Sequence, residues 1–546
     1  MGGIKRQSYL NMALILMFAN LIVRSIGAIF KIPIYKLLGD VGFANYTHAY
    51  TLYIIFFTIS TAGLPVAISR MIAIANKDKN HAEEKKIFNL ALLSFVIIGA
   101  VGSVAMMTGA KWYAAFVANE DAYYSILILA PTLFFVCITS AYRGYFQGRE
   151  NMFPTAVSEI IEALGKLIIG ITAAIYAINT FGEERLDIAA AFAISGLTVG
   201  SIVGVLYLYV KKFLTKRQEQ KLHENRSEQP FNLEARKSGE ILKEIITISL
   251  PIMFTSSIAS LASLIDSFMM TRRLIDIGWV SKTAIGAYGQ YSGLAVPFFN
   301  LPNTLVVAFA VSIIPAISRS YSEKNIQSVK FTIESTFRMV SIVAMPCAFG
   351  LACMSKPILL LIYPERVSEV VSTAPLLSIL GVGVVFVSMM TITNNMLIAQ
   401  RQERKTIFSM ICGILVKTIS SYILIGIPSV NRYGTPIGTC LCYLTIMSLN
   451  FYFLAKYTKV IPSIRQTFIK PFMASAVMAI CTISSYMLFN KILNGSRIAV
   501  AAALVIAITV YGILILLFKT LTHEDVLLLP KGPKIYEAMK KRKLID

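Results

Sequence analysis

The sequence predicts an all-α integral membrane protein with about fourteen transmembrane helices, arranged as two six-helix lobes in a parallel pseudo-repeat plus two extra helices. Three observations support this fold class. The 546 residues are 56% hydrophobic, with a mean hydropathy of +0.67, which is more apolar surface than a soluble domain hides. Apolar runs of about 20 residues recur along the chain, and each is long enough to span a bilayer. Short basic loops separate these runs, as expected where basic residues set membrane orientation.

Each predicted helix corresponds to one apolar run. The first run follows Lys5 and Arg6, contains Arg24 and lacks a small-residue cleavage site. It therefore predicts a first transmembrane helix and not a removed signal peptide. The predicted spans, in chain order, are 11–37, 46–69, 88–109, 124–142, 154–180, 187–210, 244–270, 286–317, 332–355, 370–399, 406–427, 435–455, 467–490 and 498–518.

A hydrophilic segment divides the predicted helices into two groups. Residues 213–243 are strongly charged and predict a cytoplasmic linker. The linker separates an N-terminal lobe, 1–212, from a C-terminal lobe, 244–460. Two further helices are predicted within 461–521, and the polar tail 522–546 predicts a cytoplasmic amphipathic helix at the inner membrane surface.

The two predicted lobes share a short sequence echo. GLPVAISR at 63–70 and IIPAISR at 313–319 would end the second and eighth helices on the same membrane face. This spacing of six helices predicts a parallel repeat. Prolines, among them Pro65 and Pro315, interrupt both helices and favour kinks beside a cavity.

The excess of basic residues predicts the orientation of the chain. Lys and Arg number 51 against 29 Asp and Glu, a formal net charge of +22. If both termini lie on one face, that face collects about 35 basic residues and the opposite face about 11. We therefore predict a multi-pass protein of the cell (plasma) membrane with both termini cytoplasmic. The basic residues form no aromatic-interleaved module, so we expect no nucleic-acid partner.

Templates for catalysis and metal binding are missing from the sequence. The four histidines, His48, His81, His223 and His523, show no metal-ligand spacing. The seven cysteines all lie in apolar runs, as small core residues do. Neither a G-x-S-x-G motif nor a complete phosphate loop is present. The sequence therefore predicts a protein that is not an enzyme, with no catalytic residue, no metal site and no cofactor.

Ionisable residues inside predicted helices are the informative set, because such residues usually face a bundle interior or a water-filled cavity. Arg24 and Lys31 lie two turns apart on one face of the first helix, with no acid near them. They predict an anion-attracting cavity. Glu159, Glu162 and Lys166 also share one helix face. The alternative for Glu162 and Lys166 is that they only neutralise each other.

Asp266 and Arg273, in the seventh predicted helix, complete the seven residues that we predict to line a central substrate cavity. Other charged residues within or at the ends of predicted helices have a structural explanation and need not line the cavity. Glu334 and Arg338 lie one turn apart and would neutralise each other. Arg143 lies at a predicted cytoplasmic helix end, where basic residues commonly determine topology.

Three stretches of the sequence resemble one transporter branch. They are SAYRGYFQGRENMFPTAVSEIIEALGK at 140–166, GLPVAISR at 63–70 and YGQYSGLAVPFFNLPNTLVVAFAVSIIPAISR at 288–319. They are similar to the stage V sporulation protein B and polysaccharide exporter branch of the multidrug/oligosaccharidyl-lipid/polysaccharide (MOP) flippase superfamily, which is close to the lipid II flippase MurJ. The likeness covers nearly the whole chain. It implies a MATE/MurJ-like fold of fourteen helices that moves a lipid-linked sugar diphosphate by alternating access.

The resemblance carries over to individual residues only in part. The MurJ pattern of arginine, two residues and glycine in helix one matches Arg24 and Gly27. Further cavity arginines of MurJ correspond to Phe57 and Pro297, and neither is basic. Other cations of the predicted cavity would have to supply the missing charge.

Together these observations predict a flippase for a lipid II-like, undecaprenyl-diphosphate sugar, working in cell-wall or spore-cortex biogenesis. Its partners would be the lipid-linked substrate, membrane lipids and cell-wall synthesis enzymes, and we expect a monomer. The alternative is a cation-coupled multidrug exporter of the MATE type. Such an exporter should have acids in its N-terminal lobe, where Glu159 and Glu162 lie. A membrane-embedded transferase would need an acid or histidine cluster at one membrane face, which we do not find. A scaffold for wall or spore-coat assembly would not explain buried cations.

Overall fold

The computed structural model describes residues 2–78, 80–224, 236–307, 326–460, 462–493 and 497–520. Every regular element within these ranges is a helix, and eleven helical spans there are long and apolar enough to cross a membrane. The predicted all-α membrane fold is confirmed. The predicted number of fourteen spans stays a prediction.

The helices of the first packing unit, Met1–Gly289, begin with the kinked α1. A short 3₁₀ turn, Glu120–Ala122, precedes α5. The helices are α1 (Gly2–Thr61), α2 (Leu64–Lys77), α3 (His81–Thr108), α4 (Ala110–Phe116), α5 (Tyr123–Gly148), α6 (Phe153–Phe181), α7 (Leu186–Glu224), α8 (Ser238–Asp276) and α9 (Ser281–Gln290).

The second packing unit, Gln290–Asp546, begins with a π-helical turn at Tyr291–Ala295 that continues as helix over 296–307. Within this unit α10 packs on α11 and α14, and α13 packs on α11 and α12. Its further helices are α10 (Ile326–Ile362), α11 (Val367–Ala399), α12 (Glu403–Ile425), α13 (Gly434–Thr458), α14 (Lys470–Ile492) and α15 (Arg497–Leu517).

The predicted division of the chain at the linker 213–243 stays a prediction. Residues 225–235 of this segment lie outside the described residues, as do the tail 522–546 and the IIPAISR stretch at 313–319. The linker's first part, up to Glu224, continues α7 as helix.

Two breaks shape the N-terminal part of the chain. At Gly39 the backbone has φ 65° and ψ −168°, a conformation that glycine adopts without the strain of a Cβ atom, so α1 kinks between the first two predicted spans. The second span ends at Thr61, and α2 begins at Leu64 with Pro65 in its first turn. The predicted interruption at Pro65 is confirmed. A Cβ atom at Gly63 would overlap the Ser249 carbonyl group of α8, which passes close to this break.

Glycines bring α6 and α7 into backbone contact. A Cβ atom at Gly165 would lie 2.5 Å from the Cα atom of Gly200, and one at Gly196 would overlap the backbone of Gly170. Small residues allow such close approach between membrane helices, where packing and not water drives association. α6 also packs on α1, and α5 packs on α3 and α7.

Candidate functional site

The second half of α1 carries a row of aromatic rings. Phe43, Tyr46, Tyr50, Tyr53 and Phe57 follow each other at spacings of three and four residues, so they share one face of the helix. Centroids of neighbouring rings lie 5.7 to 6.1 Å apart. We call this face the aromatic wall. Ring faces carry partial negative charge, so the wall suits cations and flat apolar surfaces.

Lys166 of α6 extends onto the aromatic wall. Its Nζ atom lies 4.5 Å from the ring centroid of Tyr50, 5.9 Å from that of Tyr46 and 5.0 Å from that of Phe30, which also belongs to α1. Lys31 follows Phe30 and lies near enough to Lys166 for the two charges to interact. Two half-buried ammonium groups thus share one location, where their fields add and attract an anion.

Two carboxylates of α6 share one guanidinium group of α5. The Oε1 atom of Glu162 lies 2.8 Å from Nη2 of Arg143, and only 15% and 12% of these side chains are exposed. The Nε atom of Arg143 donates a hydrogen bond of 2.9 Å to the Ser158 hydroxyl group. Glu159 interacts electrostatically with both Arg143 and Glu162. We call Glu159, Glu162 and Lys166 of α6, together with Arg143 of α5, the α6 charge column.

The contacts within the α6 charge column test two interpretations of the sequence, one for Glu162 with Lys166 and one for Arg143. Glu162 pairs with Arg143, and the ammonium group of Lys166 lies over aromatic rings. The alternative that Glu162 and Lys166 neutralise each other is therefore wrong. Arg143 is a mostly buried part of the column, so interpreting it as a topology determinant alone missed its pairing.

Small residues make room for the column. A Cβ atom at Gly204 of α7 would lie 3.2 Å from the Oε1 atom of Glu162, and one at Gly170 would lie 3.2 Å from the ring of Phe30. A larger side chain at either position would push against a group that holds the site. The glycine contacts between α6 and α7 therefore position the site as well as the helices.

The remaining predicted site residues lie elsewhere in the first unit. Arg24 is exposed on the first half of α1. Asp266 is half-buried in α8 and interacts electrostatically with Tyr288 of α9. The Nη1 atom of Arg273 lies 3.5 Å from Oδ2 of Asp276, so this pair is local to the end of α8. That all seven residues line one substrate cavity stays a prediction.

Sequence reasoning missed the aromatic wall and the role of Arg143. The wall had a readable signal, because the aromatic residues of FANYTHAYTLYIIF at 43–56 recur at helical spacing. The ion pair of Arg143 had no readable signal in the sequence, because its partner Glu162 belongs to a different helix.

Family models match most of the chain. The model described as polysaccharide biosynthesis protein matches residues 10–321, which is more than half of the chain. The MatE model matches residues 251–423.

Two relatives from Bacillus subtilis (strain 168) align over most of their length. Stage V sporulation protein B is 24% identical over 534 residues, which are 96% of this chain and 98% of the relative. Lipid II flippase MurJ is 23% identical over 456 residues, 81% of this chain and 82% of the relative. The predicted family resemblance is confirmed.

Solved structures share the fold. Lipid II flippase MurJ in an inward closed conformation superposes with a TM-score of 0.68 at 14% identity, covering 92% of this chain and 98% of that chain. An inward-facing MATE family transporter of the MOP superfamily gives a TM-score of 0.62 at 15% identity, covering 79% and 98%. The protein is a multi-pass membrane protein with the MATE/MurJ-like fold.

Proposed function

We propose that this chain, which belongs to the polysaccharide biosynthesis protein family, moves a lipid-linked sugar diphosphate across the cell membrane by alternating access. The substrate would be a lipid II-like, undecaprenyl-diphosphate sugar used in cell-wall or spore-cortex biogenesis. The two relatives, one a sporulation protein and one a lipid II flippase, support this substrate class. We expect transport and no chemical conversion.

The observation that carries the proposal is the pairing of Lys31 and Lys166 at the aromatic wall. Placing two like charges together inside a membrane protein costs energy unless an anion or water compensates them. A diphosphate bears enough negative charge to interact with both ammonium groups. It would therefore bind more tightly here than at a single cation.

The aromatic wall fits the other half of the substrate. Sugar rings present apolar C–H faces that pack on Tyr and Phe rings, while hydroxyl groups stay in contact with water or with polar tips. Tyr50, beside Lys166, and Phe57 are half-buried, so the sugar would pack on these two rings. The other three rings of the wall are at most 4% exposed. The polyprenyl tail would stay in lipid, because exposing its apolar surface to water in the cavity would cost free energy.

Arg24 has a separate place in this proposal. It is exposed on α1, two turns before Lys31. A guanidinium group makes bidentate contacts with phosphate oxygens. We assign to Arg24 the first contact with the diphosphate, before the headgroup reaches the two lysines.

A cation-coupled multidrug exporter is the second candidate, because the column contains Glu159 and Glu162 and because the MatE model matches part of the chain. Its organic cation would need carboxylates and free ring faces. Here Arg143 already neutralises one carboxylate, and Lys166 already covers the wall at Tyr50. The geometry therefore favours an anionic headgroup.

We also propose that both termini are cytoplasmic, because this assignment places about 35 basic residues on the inner face and about 11 on the outer face. Reporter fusions after residues 210 and 546 would measure it. Reporter activity typical of an external location at either site contradicts the topology.

The test compares two lysines that lie over aromatic rings. Lys166→Ala should lower the rate at which proteoliposomes flip a fluorescent undecaprenyl-diphosphate sugar by about tenfold to a hundredfold, because charge-assisted contacts are worth about 1.5–3 kcal/mol. Lys212→Ala is the matched control, since Lys212 lies over Phe88 and Tyr145 of α3 and α5. It should flip the substrate normally.

Equal flipping rates for Lys166→Ala and the parent protein would contradict the proposal that Lys166 binds the diphosphate. Transport of ethidium, an organic cation, by the same proteoliposomes would support the exporter instead. Reconstituted protein is matched by amount and by thermal stability, so that a folding defect is not counted as a transport defect.

A further inference from the structure

A buried histidine joins three helices away from the α6 charge column. His48 of α1 is 0% exposed. Its Nδ1 atom lies 2.7 Å from the hydroxyl oxygen of Ser267 in α8. Its ring stacks on Tyr288 of α9, with 4.4 Å between ring centroids. We call these three residues the His48 junction.

Ser267 is the centre of a shared hydrogen-bond network. Besides His48, its hydroxyl group is 3.5 Å from the hydroxyl group of Tyr113 in α4. The hydroxyl group of Tyr288 also reaches Ser267 and Thr51. A serine hydroxyl group offers one donor and two acceptor sites, so these three partners use its full capacity.

The second ring nitrogen of His48 has no such partner. Within the described residues, Nε2 is shielded from solvent and makes no hydrogen bond. A neutral imidazole carries one N–H group, whereas an imidazolium carries two and accepts nothing. The junction offers an acceptor for at most one of them. A buried charged donor without a partner is strongly unfavourable.

The backbone beside the junction leaves no space for adjustment. A Cβ atom at Gly289 of α9 would overlap the carbonyl oxygen of Asp40, and one at Gly286 would lie 3.4 Å from the Cβ atom of Asp40. α9 therefore packs directly on the kinked region of α1. The ring of His48 cannot gain a new partner unless α8 or α9 moves away.

We propose that His48 is a proton-binding site and that proton uptake from water at its imidazole ring separates α8 and α9 from α1. The neutral ring fits the closed junction, and the imidazolium fits only an open one in which water or a carboxylate accepts from Nε2. The bound species is a proton, and no other reactant is needed. The proposal does not depend on which substrate is transported.

Few ionisable groups surround the junction in the described residues. α4 contributes Tyr113, and α9 contributes Tyr288. α8 contributes Asp266, which acts on Tyr288, and Arg272, which is exposed and donates to a carbonyl group of α4. On the 3₁₀ turn packed against α1, Glu120 and Asp121 are exposed. The carboxylates near the junction are Asp266, which is next to Ser267 in sequence, and Asp40, which packs on Gly286 of α9 and accepts a hydrogen bond from the hydroxyl group of Tyr35.

Both tryptophans of the chain lie near this region. Trp112 stacks on Phe116, which in turn stacks on Phe268, next to Ser267. Trp279 lies between the end of α8 and the start of α9. The side chain of Trp112 is already 71% exposed and gives a constant background, so the rise in acrylamide quenching on opening of the junction is expected from the half-buried Trp279.

The experiment titrates the full-length protein in lipid nanodiscs from about pH 8 to about pH 3.5, without substrate, because a buried histidine takes up its proton at lower pH than an exposed one. Quenching should rise at low pH in the parent protein. His48→Gln, which keeps polar atoms but gains no proton, should lose this rise. His81→Gln is the matched control, since the side chain of His81 is 60% exposed, and should retain it.

A second variant covers the case in which His48→Gln does not fold. Ser267→Ala removes the hydroxyl group that holds the neutral ring, so the midpoint of the transition should move to higher pH by up to about one unit. A parent protein whose quenching is flat across the pH range overturns the proposal. So does a His48→Gln or Ser267→Ala variant that titrates as the parent does.

Discussion

Two arginines, Arg143 of α5 and Arg149 directly after its end, make ion pairs of different kinds. Arg149 binds one carboxylate, that of Glu84, through Nε and through a contact of 3.0 Å from Nη2, and it stacks over Tyr145. Arg143 serves two carboxylates, those of Glu162 and Glu159. The first arrangement is a matched pair of charges. In the second, two carboxylates share one guanidinium group, so neither has it to itself.

This difference separates a structural pair from a functional one. A bidentate pair with an almost fully buried carboxylate is satisfied in a single geometry and resists change. Carboxylates that share one partner respond more readily to an ion, proton or substrate that approaches them. The three predictions below test this distinction, from the largest expected effect to the smallest.

Glu84→Ala should cause the largest loss of stability. The Glu84 side chain is 3% exposed, and its removal leaves the Arg149 guanidinium group without its carboxylate, at a cost of about 3–5 kcal/mol. We expect a lower thermal unfolding temperature in detergent, measured by differential scanning fluorimetry. Flipping per folded molecule should stay normal. Loss of flipping with unchanged unfolding would mean that the pair is part of the transport machinery.

Glu162→Gln should affect transport more than stability. Glu159 remains beside Arg143 and takes over part of the pairing, so the loss of folding free energy should be about 1–3 kcal/mol. The flipping rate should fall, because the charge of the α6 column changes. Flipping and thermal unfolding are measured on the same preparation. If Glu162→Gln unfolds as easily as Glu84→Ala and flips normally, the two arginines do not differ in the way we describe.

Arg24→Ala should have the smallest effect on folding, since its side chain is exposed. Flipping should fall by about tenfold, the lower end expected for one lost charge-assisted contact. Arg24→Lys should retain part of the activity, because it keeps the charge but not the planar donors. Arg338→Ala is the contrast, since Arg338 is 3% exposed and its loss should reduce folded protein. The reverse order of effects contradicts the assignment of Arg24 to the substrate path.

Much of the fold was predictable because apolar runs and helical periodicity are local properties of the sequence. The shared face of Glu159, Glu162 and Lys166 was predictable for the same reason. The partner of Glu162 was not, because pairing with Arg143 depends on how α5 packs near α6. His48 was also missed, since a histidine in an apolar helix has the same neighbours in sequence whether it is exposed or buried.

The glycine contacts between α6 and α7 make these two helices one rigid body. Helices that meet through long side chains slide as the side chains change rotamer, but backbones in direct contact have no rotamers to change. Glu162 of α6 should therefore keep its place beside Gly204 of α7 whenever the protein changes shape. We expect bending at Gly39 and at the Ala62–Gly63 break instead, because the helical conformation is already interrupted there. Fluorophores on α6 and α7 would accordingly give a constant distance, an internal standard against which the motion of other helices is read.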